Sequence, residues 1–420
     1  MPQDQAGRMA LDMDFVRSQF PAFAAKPLQG QAFFENAGGS YTCRQVIDRL
    51  TRFYTERKVQ PYAPYEASTL GGAEMDEARE RLAAMMGVAT EELSFGPSTS
   101  ANTFVLANAV RVWLRGQNAA IVVTNQDHEA NSGVWRRLAE EGVEVREWRI
   151  DPETGHLDPA GLRPLLADGK VRLVCFPHCS NVVAAINPVA EICAMARAAG
   201  AFTCVDGVSY APHGFPDIPA LGADVYLFSA YKTYGPHQGI MVLRREIGAA
   251  LPNQAHFFNG DVLYKRFTPG GPDHAQVAAC AGMADYVDAL YVHHFGGAEA
   301  TPLQRNNAVH DLMRRQEMAL AQPLLDYLAA RNDLRLIGPR QAADRAPTVA
   351  VALDRAALPV ATALAAHGIM AGGGDFYAVR PLEALGIDRD KGVLRLSFTH
   401  YTTEAEVAQL ISALDRVLAG

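Results

Sequence analysis

The sequence lacks an apolar stretch long enough to cross a membrane. No run of about 18 uncharged apolar residues occurs in the 420 residues, and a transmembrane helix needs about that length. The opening letters MPQDQAGRMALDMDF also lack the basic and apolar regions of a secretory leader. These features predict a cytoplasmic protein with no membrane partner.

Positive charge is scarce as well. The chain has 38 Lys and Arg residues against 46 Asp and Glu residues, which gives a formal net charge of -8. No Lys-rich or Arg-rich run is present that could follow a phosphate backbone, so nucleic acid is not expected as a partner. The composition, 49% hydrophobic and 20% charged, is typical of a folded globular protein.

Cysteines are few and show no paired spacing. Most of them lie in apolar strand or helix patterns, which predicts buried thiols in a reducing compartment. Cys175 and Cys179 flank His178, but this segment reads as a strand that runs into a loop, so we predict no metal site. No GxGxxG motif follows an early strand, which argues against a nicotinamide-binding protein.

Strand and helix patterns alternate between about residues 70 and 245. Amphipathic stretches such as 101–116 and 189–200 separate short runs rich in β-branched residues. This alternation predicts an α/β fold with a mostly parallel sheet that helices cover on both faces. The runs are AAIVVT at 119–124, VRLVCF at 171–176, FTCVDG at 202–207, VYLFSA at 225–230 and GIMVLR at 239–244.

The end of the chain repeats a simpler strand and helix pattern. TVAVAL at 348–353 and VLRLSF at 393–398 read as strands, and the capping box of Thr403 and Glu406 begins a closing helix. A chain of this length predicts more than one domain. We expect an N-terminal segment over residues 1–65, a large domain over 66–290 and a small C-terminal α+β domain over 291–420. A helix near residue 290 is expected to belong to both domains.

Two charged residues follow neighbouring strands of the predicted sheet. Asp206 is the next-to-last residue of FTCVDG, and Lys232 follows VYLFSA by two residues. Ligands of parallel sheets bind at the carboxyl ends of the strands. A carboxylate there can hold the ring nitrogen of pyridoxal 5'-phosphate, and a lysine can condense with its aldehyde and later move the substrate proton. Singly, each residue also fits an ordinary helix cap or surface lysine.

Small hydroxyl residues precede the amphipathic stretch at 101–116. Ser98, Thr99 and Ser100 would offer hydroxyls and helix N-terminal amides to a phosphate, although the same residues are also common N-caps. His128 follows AAIVVT and could lie flat on the pyridine ring. Asn181 follows VRLVCF and could bond the cofactor 3'-oxygen or the substrate carboxylate, although both residues also suit ordinary loops.

Taken in order, these segments resemble the aminotransferase class V family, in its cysteine desulfurase-like branch. The resemblance implies the type I fold of pyridoxal 5'-phosphate enzymes, with a seven-stranded sheet. It also implies a stacking role for His128, a ligand role for Asn181, and cofactor contacts from Asp206, Ser229 and Lys232. RFTPGGPDH at 266–274, with Gly271, is similar to the segment that reaches a neighbouring subunit's phosphate, which implies a homodimer with composite sites.

The resemblance extends to both ends of the chain. FFENAGGSY at 33–41 looks like the family's small-residue loop at the mouth of the site, which implies substrate contacts at Ala37 and Gly38. VLRLSFTHYTTEAEV at 393–407 looks like the segment whose arginine holds the substrate carboxylate, so Arg395 is the expected anchor. A salt bridge at an exposed strand edge is the alternative for this arginine.

The sequence departs from the desulfurase pattern at one functional loop. The segment that matches the family's cysteine loop is AGGGDFYAVRPLEALG at 371–386, and no cysteine occurs after Cys280. Ser209 stands where the family has a glutamine that bonds the cofactor 3'-oxygen, so Ser209 is the expected cofactor contact there, shortened or lost relative to the glutamine. Tyr231 stands where many desulfurases have histidine.

We therefore expect an enzyme that acts on a small α-amino acid, either a carbon–sulfur β-elimination lyase or an aminotransferase. A desulfurase that uses another thiol, an amino-acid epimerase and a binding or regulatory protein on the same fold are the alternatives.

Overall fold

The computed structural model describes residues 10–419 of the chain. Its strands form one sheet of seven strands, one of four and one of two. The strands are β1 (Ala32–Phe33), β2 (Leu93–Gly96), β3 (Ala120–Thr124), β4 (Glu144–Trp148), β5 (Val171–Pro177), β6 (Phe202–Asp206), β7 (Val225–Ser229), β8 (Gly239–Leu243), β9 (Leu334–Ile337), β10 (Thr348–Leu353), β11 (Ile369–Met370), β12 (Gly372–Gly374) and β13 (Val393–Ser397).

The seven-stranded sheet has the order β2-β8-β7-β6-β5-β3-β4. Only β8 runs against its neighbours, and every other pair in the sheet is parallel. The central strands are rich in β-branched and aromatic residues and, apart from the partly buried Phe202, are buried along their length, as expected for a sheet covered on both faces. The predicted α/β fold class is confirmed.

Helices of eight or more residues pack around these sheets. The N-cap serine or threonine side chains of three of them accept a backbone N–H, which satisfies one of the free donors at a helix start. These helices are Arg44–Glu56, Glu66–Met85, Thr99–Trp113, Pro159–Leu166, Val189–Ala198, Ala281–Phe295, Pro302–Ala329, Ala357–Ala365 and Glu404–Leu418. The shorter helices are Met13–Ser18, Gly133–Arg136, Ile218–Leu221, Arg245–Ala250, Leu263–Arg266, His274–Ala279 and Val379–Ala384.

The long helix Pro302–Ala329 joins two hydrophobic cores. Val309, Leu312 and Met313 in its first half pack into the core that surrounds the large sheet. Leu324 and Leu328 in its second half pack into the core beneath the four-stranded sheet, whose order is β12-β13-β10-β9. The helix that belongs to both cores therefore lies beyond residue 290. The domain limits at residues 65 and 290 stay predictions.

The N-terminal segment reaches the second core. β1 pairs in parallel with β11, and Phe34 is buried in the core of the four-stranded sheet. Among residues 10–419, no helix is long and apolar enough to cross a membrane.

The topology brings the predicted site residues to one edge of the large sheet. β5, β6 and β7 are adjacent and parallel, so their carboxyl ends lie side by side. Asp206 is the last residue of β6, and Lys232 ends a single 3-10 turn directly after β7. The loops after β3 and β5 carry His128 and Asn181 to the same edge.

Candidate active site

A cavity of about 340 Å³ opens at this edge of the sheet, and we call it the inner cavity. Nine of the ten residues predicted to bind a cofactor line it, and Gly271 is the exception. The lining residues are Ser98, Thr99, Ser100, His128, Ala130, Pro177, Cys179, Asn181, Asp206, Val208, Ser209, Ser229, Tyr231, Lys232 and His237.

A second cavity of about 570 Å³, the outer cavity, adjoins the first. Arg395, Asn181, Ala37 and Gly38, the four residues predicted to bind substrate, all line it. Lys232 lines both cavities and therefore stands between them. The remaining lining residues are Glu35, Ser100, Phe104, His128, Glu129, Ala130, Gly133, Val134, Arg137, Tyr231, Phe376 and Tyr377.

Lys232 has an amine that loses its proton more readily than a surface lysine. Burial and the positive charge of Arg395 lower its pKa to about 8. A measurable fraction of the amine is therefore neutral near pH 7, which a nucleophile or a base requires.

Asp206 is a buried carboxylate with one protein hydrogen bond, from the Val208 N–H at 2.9 Å. Its side chain is 6% exposed, and burial raises the pKa of the carboxyl group. An ionised carboxylate at this depth is costly unless a cation pairs with it. The geometry therefore suits a ligand with a positively charged nitrogen.

The inner cavity is also lined by hydroxyl groups at the N-terminus of the helix Thr99–Trp113. The Ser98 hydroxyl accepts the Ala101 N–H at 3.1 Å, so it acts as the N-cap, and the Thr99 and Ser229 hydroxyls are 2.8 Å apart. β8 passes close to this turn, because a Cβ at Gly239 would collide with the backbone of Ser98 and Thr99. Such a turn favours an anion.

His128 is a neutral imidazole at the boundary of the two cavities. Its Nδ1 accepts the Ala130 N–H at 3.0 Å, which leaves the ring proton of the neutral form on Nε2. Burial and the charges of Lys232 and Arg395 lower its pKa to about 4. The ring can stack on a ligand but is a poor acid near pH 7.

Asn181 and Arg395 meet at the wall of the outer cavity. The Asn181 amide donates to the Phe376 carbonyl at 2.9 Å, while its Oδ1 is buried and has no hydrogen-bond partner in the described part of the chain. Arg395 donates to Glu35 Oε1 at 2.6 Å and is 3% exposed, on a strand flanked by β10 and β12. The arginine end of this salt bridge is therefore buried on an inner strand of the sheet, and the Glu35 side chain is 28% exposed.

Residues 32–410 match the family described as Aminotransferase class-V. The chain belongs to this family. It is 31% identical to the aminotransferase-like protein FGM3 of Gibberella zeae, over 97% of this chain and 99% of the relative. It is 30% identical to a cysteine desulfurase of Pectobacterium atrosepticum, over 97% of this chain and 98% of the relative.

The fold of this class V family member is also similar to a solved structure. An apo cysteine desulfurase from Thermococcus onnurineus NA1 superposes with a TM-score of 0.83 at 22% identity, covering 98% of this chain and 99% of that one. Members of the family use pyridoxal phosphate, so the chain is an enzyme of a pyridoxal phosphate-dependent family, similar to its cysteine desulfurases.

Gly271 lies away from both cavities of this class V chain. It lines two further cavities, of about 390 Å³ and 550 Å³, on either side of the loop around residues 268–273. A Cβ at Gly271 would meet no atom within 4 Å, so the glycine faces open space within one copy of the chain.

Several residues that line these cavities were not among the predicted site residues, and four of them bear on the chemistry: Glu35, Tyr231, His237 and Phe376. Glu35 lies two positions before Ala37, and its charge within an apolar run was the only signal for it. Tyr231 and His237 line the inner cavity with their rings stacked, at 4.9 Å between centroids. No sequence signal pointed to Phe376, because its position depends on how residues 371–386 fold.

The six cysteines of this family member are all buried, and all fall within residues 10–419. Burial raises the pKa of Cys43 and of Cys179 to about 12, raises that of Cys193 to about 11, and also raises those of Cys175 and Cys280. Only Cys179 lines the inner cavity, where its thiol lies 3.1 Å from the Ala184 carbonyl. No group of His, Cys, Asp or Glu within the described residues could hold a metal ion.

Proposed function

We propose that this chain binds pyridoxal 5'-phosphate in the inner cavity and acts on a small α-amino acid in the outer cavity. The side chains present fit that cofactor: a buried carboxylate at Asp206 suits its ring nitrogen, and the turn at Ser98 and Thr99 suits its phosphate. When bound, pyridoxal 5'-phosphate supplies an aldehyde for an amine and a ring that withdraws electrons from the substrate α-carbon.

Lys232 is suited to move the substrate proton. It is the one lysine that lines either cavity, and its pKa of about 8 leaves part of the amine free to accept a proton at neutral pH. Its position between the cavities lets Nζ take the α-proton and return it to a neighbouring atom.

Arg395 is suited to hold the substrate carboxylate. Its guanidinium lines the outer cavity, and its buried Nε–H has no partner among the described residues. Arginine presents its donors in a planar fork that matches a carboxylate. Holding the carboxylate here places the substrate beside Lys232.

The burial of the cysteines bears on whether the reaction transfers sulfur to the protein. A desulfurase needs an accessible thiolate, whereas every cysteine of this chain is buried and burial raises the pKa of five of them. Phe376 and Tyr377, from the segment that matches the family's cysteine loop, line the outer cavity. These observations favour a reaction with no protein persulfide.

We propose a β-elimination that cleaves a carbon–sulfur bond. The carboxylates of the outer cavity, Glu35 and Glu129, form ion pairs with Arg395 and Arg380, and neutral His128 is a poor acid. Once it has taken the α-proton, Lys232 is the side chain best placed to protonate a leaving group, and a group that is also stable as an anion, such as a thiolate, depends least on that protonation. After Lys232 takes the α-proton, the β-carbon–sulfur bond breaks and the thiolate leaves.

Transamination is the second candidate, because the relative FGM3 is described as aminotransferase-like.

A single experiment separates β-elimination from transamination: the holoenzyme is fed S-ethyl-L-cysteine, L-cysteine and L-alanine, and the products are assayed. The lyase yields pyruvate, ammonia and thiol in equal amounts. Keto acid without ammonia indicates transamination, and a racemised amino acid indicates epimerisation. Persulfide on any cysteine would contradict the proposal.

We also propose a homodimer in which residues 266–274 of one copy complete the site of the other. Gly271 faces open space beside two cavities, and Phe257 and Phe258, which precede this segment, are 90% and 68% exposed. Exposed aromatic side chains of this kind are typical of protein interfaces. A cytoplasmic location stays a prediction, which cell fractionation tests.

A further inference from the structure

The guanidinium of Arg395 is held on three sides by side chains and backbone from distant parts of the chain. Glu35 Oε1 accepts from Nη2 at 2.6 Å, and the Asn181 carbonyl accepts from Nη1 at 3.4 Å. The Phe376 ring covers one face, with its centroid 3.8 Å from Cζ. These contacts engage two of the five N–H donors of the arginine, and the buried Nε–H has no partner within residues 10–419.

Phe376 has a backbone conformation that aromatic residues rarely adopt. Its φ is 52° and that of Tyr377 is 56°, both in the left-handed region. Such backbone persists where the surroundings fix it. The Phe376 carbonyl accepts the Asn181 amide and the Tyr377 carbonyl accepts the Glu129 N–H, each at 2.9 Å, so two loops of the large sheet hold this turn.

Glu35 is confined in a similar way. A Cβ at Gly372 would come within 2.5 Å of Glu35 Oε2, and one at Gly38 within 2.9 Å of Oε1. The carboxylate therefore occupies a space that only glycine leaves open on both sides. Its reach to Arg395 depends on the full length of the glutamate side chain.

We infer that Phe376 and Glu35 are positioning residues that fix the plane of the Arg395 guanidinium, so that its Nε–H and the remaining Nη donors meet a substrate carboxylate. Phe376 acts through a cation–π contact on one face, and Glu35 through a charge-assisted hydrogen bond at one edge. The inference rests on the proposed role of Arg395 as carboxylate anchor. The segment at 371–386, which lacks the family's cysteine, would then serve to position Arg395.

The test compares the affinities of the holoenzyme for L-alanine, L-cysteine and L-tyrosine with those for their carboxamides, measured from the change in cofactor absorbance. Phe376→Leu removes the ring, and Glu35→Asp withdraws the carboxylate by one methylene, so neither variant changes the net charge. We expect each to lower the preference for the carboxylate about three- to thirtyfold. Phe376→Tyr keeps the ring and should stay within about twofold of the wild type.

Arg395→Lys separates this inference from the proposed function. If that variant keeps the wild-type preference for the carboxylate, the anchor itself is wrong. If it loses the preference while Phe376→Leu and Glu35→Asp keep it, only the positioning roles are refuted. Arg389→Lys and Leu358→Ala serve as controls, because both side chains are exposed on the small domain.

Crystal structures of the Phe376→Leu and Glu35→Asp holoenzymes give a readout that needs no substrate. We expect the Arg395 guanidinium to leave its observed position, or to occupy more than one, in both variants. A guanidinium that stays in place in both would overturn the inference, even if none of the amino acids binds.

Discussion

Replacing Asp206 by asparagine tests whether negative charge at this position drives the reaction. Asparagine has the same size and keeps an oxygen that can accept the Val208 N–H, so we expect the fold to survive. Asp206 is 6% exposed, so water cannot take over the stabilisation of positive charge that the carboxylate provided. Removing one fixed electrostatic partner from such a site costs about 10²- to 10³-fold in turnover, or about 2.7–4 kcal/mol.

The assay measures cofactor binding and turnover separately. We expect Asp206→Asn to bind pyridoxal 5'-phosphate, because the turn at Ser98 and the lysine at 232 are unchanged. We expect its turnover to fall about 10²- to 10³-fold. Asp390→Asn is the matched control, since that side chain is 91% exposed. Turnover within about threefold of the wild type would refute the reasoning, because it would make Asp206 a structural residue.

Three further outcomes are expected. Turnover should rise with pH and level off above about 8, because only the neutral amine of Lys232 accepts a proton; a flat profile between pH 6 and 9 would contradict this base. Cys179→Ala should keep wild-type product yields, whereas loss of thiol release would indicate sulfur transfer through the one thiol in the inner cavity. Gly271→Asp should fold but weaken cofactor binding by repelling the phosphate of the second copy; mixing it with Lys232→Ala should restore activity if the sites are composite, and no restoration would argue against them.

Residues at strand ends were the part of the site that could be predicted from sequence. Asp206 and Lys232 each follow a short β-branched run, and parallel strands bring such ends to one edge. β2 and β4 were not predicted. Leu93–Gly96 is only four residues long, and the sequence EVREW of β4, at the sheet edge, has three charged residues among five and no apolar run.

Contacts between distant parts of the chain could not be predicted in this way. Glu35 and Arg395 are separated by 360 residues, and no local pattern indicates that they pair. Arg395 was predicted as an anchor by resemblance, but its partner and the ring of Phe376 depend on how the four-stranded sheet and its loops lie against the large sheet. The helix Pro302–Ala329 packs on one core with its first half and on the other core with its second half. No local pattern in the sequence shows this division, so the position of the helix was not predicted.

Locating the lysine that carries the cofactor tests most directly whether the inner cavity is a pyridoxal 5'-phosphate site built around Lys232. The purified holoenzyme is reduced with borohydride, digested and analysed by mass spectrometry, with Lys391→Ala as a control for a lysine outside both cavities. We expect a phosphopyridoxyl adduct on Lys232, and none in Lys232→Ala. An adduct on another lysine of the wild type, or no adduct at all, would contradict this expectation.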